Sequence, residues 1–164
     1  MNLKNVFLIF VLSYITWLAL NWSVAPDILI TGAIVSALIG LLFCRNCTVL
    51  QSVRLTPKSF AYAFAYVFVF SWDLLKSNID VASRVLKPSL PINPGIVEVK
   101  TILKSNIGKM MLANSITLTP GTLTVDIRDD RMYIHWIDVT STDIDEATRS
   151  IVSKFEKYLE VMYG

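Results

Sequence analysis

The chain has 164 residues, of which 54% are hydrophobic, with a mean hydropathy of +0.54 and a formal net charge of +2. Soluble domains of this length are usually about 45–50% apolar, so the composition excludes an ordinary soluble globular protein. The small net charge also argues against nucleic acid as a partner.

Charge is distributed unevenly along the chain. Only Lys4 and Asp27 are charged before Arg45, whereas charged residues occur throughout the second half. The sequence therefore predicts two domains: membrane helices with a juxtamembrane extension over residues 1–87, and a small water-soluble domain over residues 88–164. A domain of that size is small for independent folding, so we expect it to contact a partner or the membrane surface.

The first half contains three hydrophobic segments, at residues 5–20, 28–43 and 60–75. No small-x-small cleavage pattern follows Lys4, which indicates a retained membrane segment. Each segment is shorter than the roughly 20 residues of a perpendicular span. We predict three short hydrophobic helices, the first two forming a hairpin, and the sequence leaves open whether that hairpin crosses the bilayer completely.

The second segment carries Gly32, Ser36 and Gly40 at intervals of four residues. On a helix these small side chains form one stripe, which allows another helix to approach closely. We therefore predict a packing interface along this stripe.

The third segment continues beyond the membrane as one helix that ends at Lys87, before Pro88. Apolar residues recur there at intervals of three and four, as expected for one face of a helix. This stripe consists of Trp72, Leu75, Ile79, Ala82 and Leu86.

Asp73 is the one acid inside an apolar segment and is a functional candidate for that reason. Lys76 lies one turn along, so the spacing predicts a structural salt bridge, with a role in an ion path as the alternative. The spacing also predicts a pair between Asp80 and Arg84. The interiors of the three segments contain no Lys, Glu or His. We therefore expect that this chain alone does not translocate ions.

The second half alternates strand and helix patterns, which predicts a small α+β domain with the order β-α-β-β-α. The predicted elements are a strand at 96–103, a helix at 106–113, strands at 122–128 and 132–138 around an Asp129-Asp130 turn, and a final helix capped by Thr142. The predicted core face of that helix is Ile144, Ala147, Ile151, Phe155 and Leu159.

A turn separates the predicted helix from the hairpin. In Thr119-Pro120-Gly121-Thr122, Pro120 suits the second position and Gly121 provides the positive φ of the third, which predicts a type II turn. The β-branched residues Ile116, Thr117 and Thr119 predict an extended segment leading into it.

No catalytic, cofactor or metal site is predicted. Cys44 and Cys47 form a single CxxC pair without the second pair that a structural zinc site needs. His135 is interpreted as a structural histidine on a strand. The spacing of Asp126, Asp129 and Asp130 lacks a calcium-loop pattern and indicates a solvated turn. The sequence does not indicate an enzyme.

The segment 114–127, together with Lys87-Pro88, residues 94–97 and residues 135–138, resembles the E subunit of Mrp-type multisubunit Na+/H+ antiporters, the MnhE family. Residues 115–122 are the most specific part of the resemblance. It implies an accessory, non-translocating subunit that lies in the cell membrane beside other membrane subunits, with the translocating carboxylates and lysines in larger subunits and no cofactor of its own.

The resemblance also implies a cytoplasmic C-terminal domain, whereas the count of positive residues on either side of the third segment is a tie. Two alternatives remain open: the equivalent subunit of a membrane-bound hydrogenase or related respiratory complex, and a stand-alone membrane-anchored ligand-binding domain. The candidate subunit-interface residues are Gly32, Ser36, Gly40, Asp73, Lys76, Thr117, Thr119, Pro120, Gly121 and Thr122.

Overall fold

The computed structural model describes residues 3–43 and 52–164. The chain forms two compact units, of which the first ends at Gln51 and the second runs from Ser52 to Gly164. Cys44 and Cys47 lie outside the described residues. The third predicted helix packs within the second unit. The predicted boundary at residue 87, between the membrane part and the water-soluble domain, stays a prediction.

The first unit is a helical hairpin of α1 (Leu3–Asn21) and α2 (Pro26–Phe43). The connection between them is tight, because the Trp17 indole N–H on α1 donates to the Ile28 carbonyl on α2 over 3.1 Å. The hairpin predicted from the sequence is confirmed. Among the described residues, these are the two helices that are long and apolar enough to cross a membrane.

The small-residue stripe of α2 packs against α1. Gly32, Ser36 and Gly40 are the buried residues of α2. A Cβ at Gly32 would lie 2.4 Å from Cδ1 of Trp17, and one at Gly40 would lie 3.1 Å from the Val6 carbonyl oxygen. The helix that the stripe admits is therefore α1 of the same chain, and a subunit contact at these residues stays a prediction.

The second unit begins with one long helix, followed by a three-stranded antiparallel sheet and three shorter helices. The strand order is β1-β3-β2, with Ile96 opposite His135 and Leu123 opposite His135 on the other side. The elements are α3 (Pro57–Leu86), β1 (Gly95–Lys100), α4 (Asn106–Leu118), β2 (Thr122–Arg128), β3 (Arg131–Trp136), α5 (Ile144–Ile151) and α6 (Ser153–Tyr163).

The helix α3 is continuous, as predicted. Its N-cap Thr56 accepts a hydrogen bond from the Ser59 amide, and Pro57 occupies the first turn, where a missing N–H costs nothing. It is not among the two helices that meet the requirement for a membrane span.

Helix α4 is longer than predicted. The Ser105 side chain caps its start, as expected, but the helix continues to Leu118. The extended segment predicted at 116–119 is therefore wrong. Ile116 is 1% exposed, so its burial in the core outweighs the strand preference of a β-branched residue.

The C-terminal helix differs from the prediction in two respects. Its N-cap is Asp143, whose carboxylate accepts from the amides of Asp145 and Glu146, so the predicted cap at Thr142 is wrong. The helix is also divided at Val152, where the Phe155 amide donates to the Val152 carbonyl and tightens the turn. Val152 is fully buried, and the predicted core face is confirmed apart from Ile144, which is half-buried.

The core lies between the sheet and the helices α4, α5 and α6. Helix α3 packs on the outer side of α6, with Tyr62, Ala63, Tyr66 and Phe70 against the buried cluster. The second unit therefore has three layers: sheet, short helices and α3.

Candidate functional site

The turn predicted at residues 119–122 is confirmed. The Thr122 amide donates to the Thr119 carbonyl over 3.3 Å, and Gly121 has a φ of +94°. A Cβ at Gly121 would lie 3.0 Å from Cγ2 of Ile137. The Gly121 carbonyl in turn accepts from the Ile137 amide over 2.9 Å. The turn is thus held closely against the end of β3.

The threonine hydroxyls of this segment are used inside the chain. Thr119 donates to the Ser115 carbonyl over 2.8 Å, and Thr122 donates to the Ile116 carbonyl over 2.6 Å. The Thr117 hydroxyl accepts from the Thr124 amide over 3.1 Å. The bonds from Thr119 and Thr122 end on carbonyls of the last turn of α4, where the Ile116 carbonyl also accepts from the Thr119 amide over 3.3 Å. The role of these threonines in docking another subunit stays a prediction.

Asp73 forms a different ion pair from the one predicted. Its Oδ2 lies 2.5 Å from Nζ of Lys154 on α6, so the predicted pairing with Lys76 is wrong. Asp73 is on the side of α3 that faces α6, whereas Lys76 is exposed. Long-range packing therefore decides the partner, as expected for a residue at the seam between two helices.

The predicted pair of Asp80 and Arg84 is confirmed, with 2.8 Å between Oδ2 and Nε. Arg84 also lies 2.7 Å from Asp138, directly after β3, and donates to the Pro91 carbonyl. The hydrogen bonds to Asp80 and then to Asp138 raise the pKa of Arg84 above its ordinary value. One guanidinium thus links α3 to the connector before β1 and to the end of β3.

The turn at residues 119–122 and the ion pairs of Asp73 and Arg84 line one cleft of about 390 Å³ within the second unit. We call it the polar cleft. Its charged groups are balanced, because three carboxylates face three cations. The predicted residues that the cleft brings together are Asp73, Lys76, Thr119, Pro120, Gly121 and Thr122, and its other charged lining residues are Asp80, Arg84, Asp138 and Lys154.

Four of the predicted residues are not part of the cleft. Gly32, Ser36 and Gly40 belong to the first unit. Thr117 lines a separate surface hollow with Asn114 and residues of β2. The subunit-interface role that the sequence predicts for all ten residues stays a prediction.

The charged groups of the polar cleft form three ion pairs within the second unit. Within residues 3–43 and 52–164, no three His, Cys, Asp or Glu side chains are grouped to hold a metal ion. His135 is exposed on the open face of the sheet. Asp126 pairs with Arg128 at 2.7 Å, and this hydrogen bond lowers the pKa of the carboxyl. The ion pairs of Asp73 with Lys154 and of Arg84 with Asp138 join α3 to the rest of the second unit.

Two further contacts were missed by the sequence reasoning. The Tyr66 hydroxyl on α3 forms a short hydrogen bond with the Ser115 hydroxyl on α4. The buried Glu156 carboxylate accepts from the Thr101 hydroxyl over 2.5 Å and from the Ile102 amide over 2.8 Å. The sequence offers one local signal for the second contact: Glu156 is an acid that directly follows the core residue Phe155.

Comparison with known proteins gives a consistent result over almost the whole chain. The family described as "MNHE: Na+/H+ ion antiporter subunit" matches residues 10–162. The Na(+)/H(+) antiporter E subunit of Bacillus subtilis (strain 168) is 38% identical over 160 residues, which cover 96% of this chain and 94% of that protein. The Na(+)/H(+) antiporter E1 subunit of Staphylococcus haemolyticus (strain JCSC1435) is 36% identical, with 93% of each chain covered.

A solved structure is also similar. A chain of the "membrane-bound sulfane sulfur reductase (MBS), an archaeal respiratory membrane complex" is 46% identical and has a TM-score of 0.85. The match covers 96% of this chain and 98% of that chain.

Proposed function

Because the chain belongs to the MnhE family of Na+/H+ antiporter subunits, we propose that it is an accessory, non-translocating structural subunit of a multisubunit Na+/H+ antiporter complex. Its role is to support the assembly and stability of that complex. Other membrane subunits and the lipid bilayer are its partners, and the chemistry of exchange takes place in those other subunits.

The observation that carries this proposal is the composition of the membrane hairpin. In α1 and α2 the only charged residues are Lys4 and Asp27, each in the first turn of its helix. An ion path across the apolar layer needs a series of polar or ionisable groups. Beyond these first turns neither helix carries a charged group, and the small-residue stripe of α2 is filled by Trp17 and Val6.

The second unit supports the same proposal. Five of the six charged groups at the polar cleft form ion pairs within the chain, Asp73 with Lys154 and Arg84 with Asp80 and Asp138. Groups that are already paired favour a fixed scaffold over a stand-alone ligand-binding domain. We therefore do not retain that alternative.

The test compares the complex with and without this chain. The complex is purified from cells that lack the gene and from the same cells complemented with it, and both preparations are reconstituted into vesicles. We expect loss of intact complex without the chain, and no Na+ or H+ flux from the purified chain alone. Unchanged assembly and exchange in its absence, or ion flux through the isolated chain, would contradict the proposal.

A second candidate is the equivalent subunit of a membrane-bound respiratory complex. The 46% identity and TM-score of 0.85 to a chain of the MBS complex favour it. Mass spectrometry of the complex extracted in mild detergent distinguishes the two. Iron–sulfur or hydrogenase-type subunits in the extract favour the respiratory complex, and a set of membrane subunits without them favours the antiporter.

We further propose a location in the cell membrane with residues 88–164 in the cytoplasm. Membership of the MnhE family supports this placement, and the position of eleven of the fifteen Lys and Arg residues after Leu75 agrees with it. Labelling of an Asp145→Cys variant that lacks the native cysteines, in intact cells and with an impermeant maleimide, tests this. No labelling before lysis is expected, and labelling of intact cells would place the domain outside.

A further inference from the structure

The side of α3 that points away from α6 is apolar along most of its length. We call it the outer face of α3 and define it by Phe60, Phe64, Phe68, Trp72, Leu75 and Ile79. Each of these side chains is more than half exposed. At a rise of 1.5 Å per residue they extend over about 30 Å, a larger continuous apolar surface than a soluble protein usually leaves in water.

The opposite side of α3 is fixed to the rest of the second unit at three points along the helix. These are the hydrogen bond of Tyr66 with Ser115 and the ion pairs of Asp73 with Lys154 and of Arg84 with Asp138. The helix therefore cannot turn its outer face inward. The outer face of α3 therefore remains exposed on the surface of the second unit.

The same contacts are incompatible with α3 crossing a bilayer. A membrane-crossing helix is surrounded by lipid or by other apolar protein, and charged groups within the hydrocarbon are costly. Here the inner side of α3 carries α6 and the charged lining of the polar cleft. Crossing would bring these groups into the hydrocarbon, whereas lying flat would keep them in water.

Lysines border the outer face on one side. Lys58 and Lys76 are 18 residues apart, which is close to five helical turns, so they lie along one line of α3, and Lys87 is the cap residue directly after the helix. All three are exposed, and among the described residues none forms an ion pair. An apolar stripe beside a row of lysines is typical of helices that lie in the interface of a membrane with anionic lipids.

We infer that α3 lies flat in the interface of an anionic bilayer. Its outer face contacts the acyl chains, and its lysines reach the headgroups. This replaces the membrane insertion that the sequence predicted for residues 60–75. The inference rests on the proposed membrane location of the chain and is independent of the accessory role.

The test measures the depth of single spin labels on the full chain. Both native cysteines are replaced by serine, and the chain is reconstituted into vesicles of phosphatidylcholine and phosphatidylglycerol. Labels are placed one at a time at Phe64, Phe68, Leu75 and Ile79, and collisions with oxygen and with a water-soluble nickel chelate give the depth. A label at Ile34 on α2 reports whether the hairpin itself is embedded.

A flat helix gives four labels at one shallow depth, within about 4 Å of each other. A crossing helix would instead give a depth that changes by about 22 Å between residues 64 and 79, at 1.5 Å per residue. That gradient, or water exposure at all four positions while Ile34 is in lipid, would overturn the inference and leave the proposed function intact. Shielding from both reagents in the purified complete complex would also overturn it, since another subunit would then cover the face.

A second measurement tests the lysine row. The triple substitution Lys58→Gln, Lys76→Gln and Lys87→Gln is expected to raise collisions of the Phe68 label with the nickel chelate at least twofold in anionic vesicles. The matched control removes the same charge elsewhere in the unit, at Lys100, Lys104 and Lys109. An equal response of the two triple variants would overturn the role of the row.

Discussion

The carboxylate of Asp73 on α3 lies 2.5 Å from the ammonium of Lys154 on α6, and this ion pair joins residues 81 positions apart. The pair is partly buried, with 19% and 35% of the two side chains exposed. It lies between the Tyr66 contact and the Arg84 contact along α3. Together the three contacts fix which side of α3 faces the α+β layers, and so they determine which side is left for the membrane.

Breaking this pair is expected to loosen α3. Asp73→Asn should reduce the free energy of unfolding of the second unit by about 1 kcal/mol, because a partly exposed pair is screened by solvent. Hydrogen exchange of the α3 amides in the full chain in detergent measures the change. Asp145→Asn is the matched control, since its pair with Lys100 is long and largely exposed.

The outcome that would contradict this prediction is additivity. If Asp73→Asn and Lys154→Gln each had the same effect in the presence of the other substitution, the two side chains would not be coupled.

Glu156 should contribute more to stability than Asp73. It is 8% exposed, and its Oε1 accepts hydrogen bonds from the Thr101 hydroxyl and the Ile102 amide. Glu156→Ala leaves both donors without a partner, so we expect a loss of about 2–3 kcal/mol, and less for Glu156→Gln. Urea unfolding of the second unit measures it. Glu160→Ala, on the exposed side of the same helix, should stay within about 0.5 kcal/mol, and a similar loss there would contradict the argument.

Local patterns predicted the elements that local forces determine. The alternation in residues 122–128 predicted β2, and the Pro120-Gly121 dipeptide predicted the turn that the structure shows. In both cases the deciding factor is the backbone preference of the residues themselves.

Long-range packing explains what the sequence did not predict. Ile116 is helical because it fills the core, although it is β-branched. Asp73 pairs with Lys154 rather than Lys76 because α6 packs on α3. Neither the helical conformation of Ile116 nor the ion-pair partner of Asp73 can be identified from sequence spacing. Each depends on contacts between elements that are far apart in the chain.

Replacing Gly121 should destabilise the turn beside the polar cleft. Its φ of +94° is unfavourable for other residues, and a Cβ would lie 3.0 Å from Ile137. We expect Gly121→Ala to cost about 1–3 kcal/mol, measured by thermal unfolding of the full chain. Pro120→Ala keeps the negative φ and serves as the control. An equal loss for the two variants would show that general loosening of the turn, and not the Gly121 conformation, is responsible.

The second unit should lose stability at high pH partly through Tyr163. Burial, and to a smaller degree the nearby Tyr66, raise the pKa of Tyr163 above its ordinary value of 10.0. The unfolded chain therefore loses this proton at a lower pH than the folded chain does, so the stabilising contribution is present below pH 10.0 and is lost as the pH rises through the folded pKa.

Tyr163→Phe should retain more of its stability above pH 10.0 than the unsubstituted chain, as measured by urea unfolding between pH 8 and pH 11. Tyr133→Phe, on the open face of the sheet, is the matched control. Parallel pH profiles for the Tyr163→Phe variant and the unsubstituted chain would contradict the prediction.

Of the two glycines in the hairpin, Gly32 has less free space, because a Cβ there would lie 2.4 Å from Cδ1 of Trp17. The indole is fixed by its hydrogen bond to the Ile28 carbonyl. Gly32→Ala should therefore displace the ring or separate the helices, at a cost of about 1–3 kcal/mol. In a chain whose other three tryptophans are replaced by phenylalanine, the emission maximum of Trp17 in vesicles reports the displacement. The control Ile34→Leu, at an exposed position of α2, should leave the emission maximum unchanged. If Gly32→Ala also left the maximum unchanged, the small-residue stripe would not determine the spacing of the two helices.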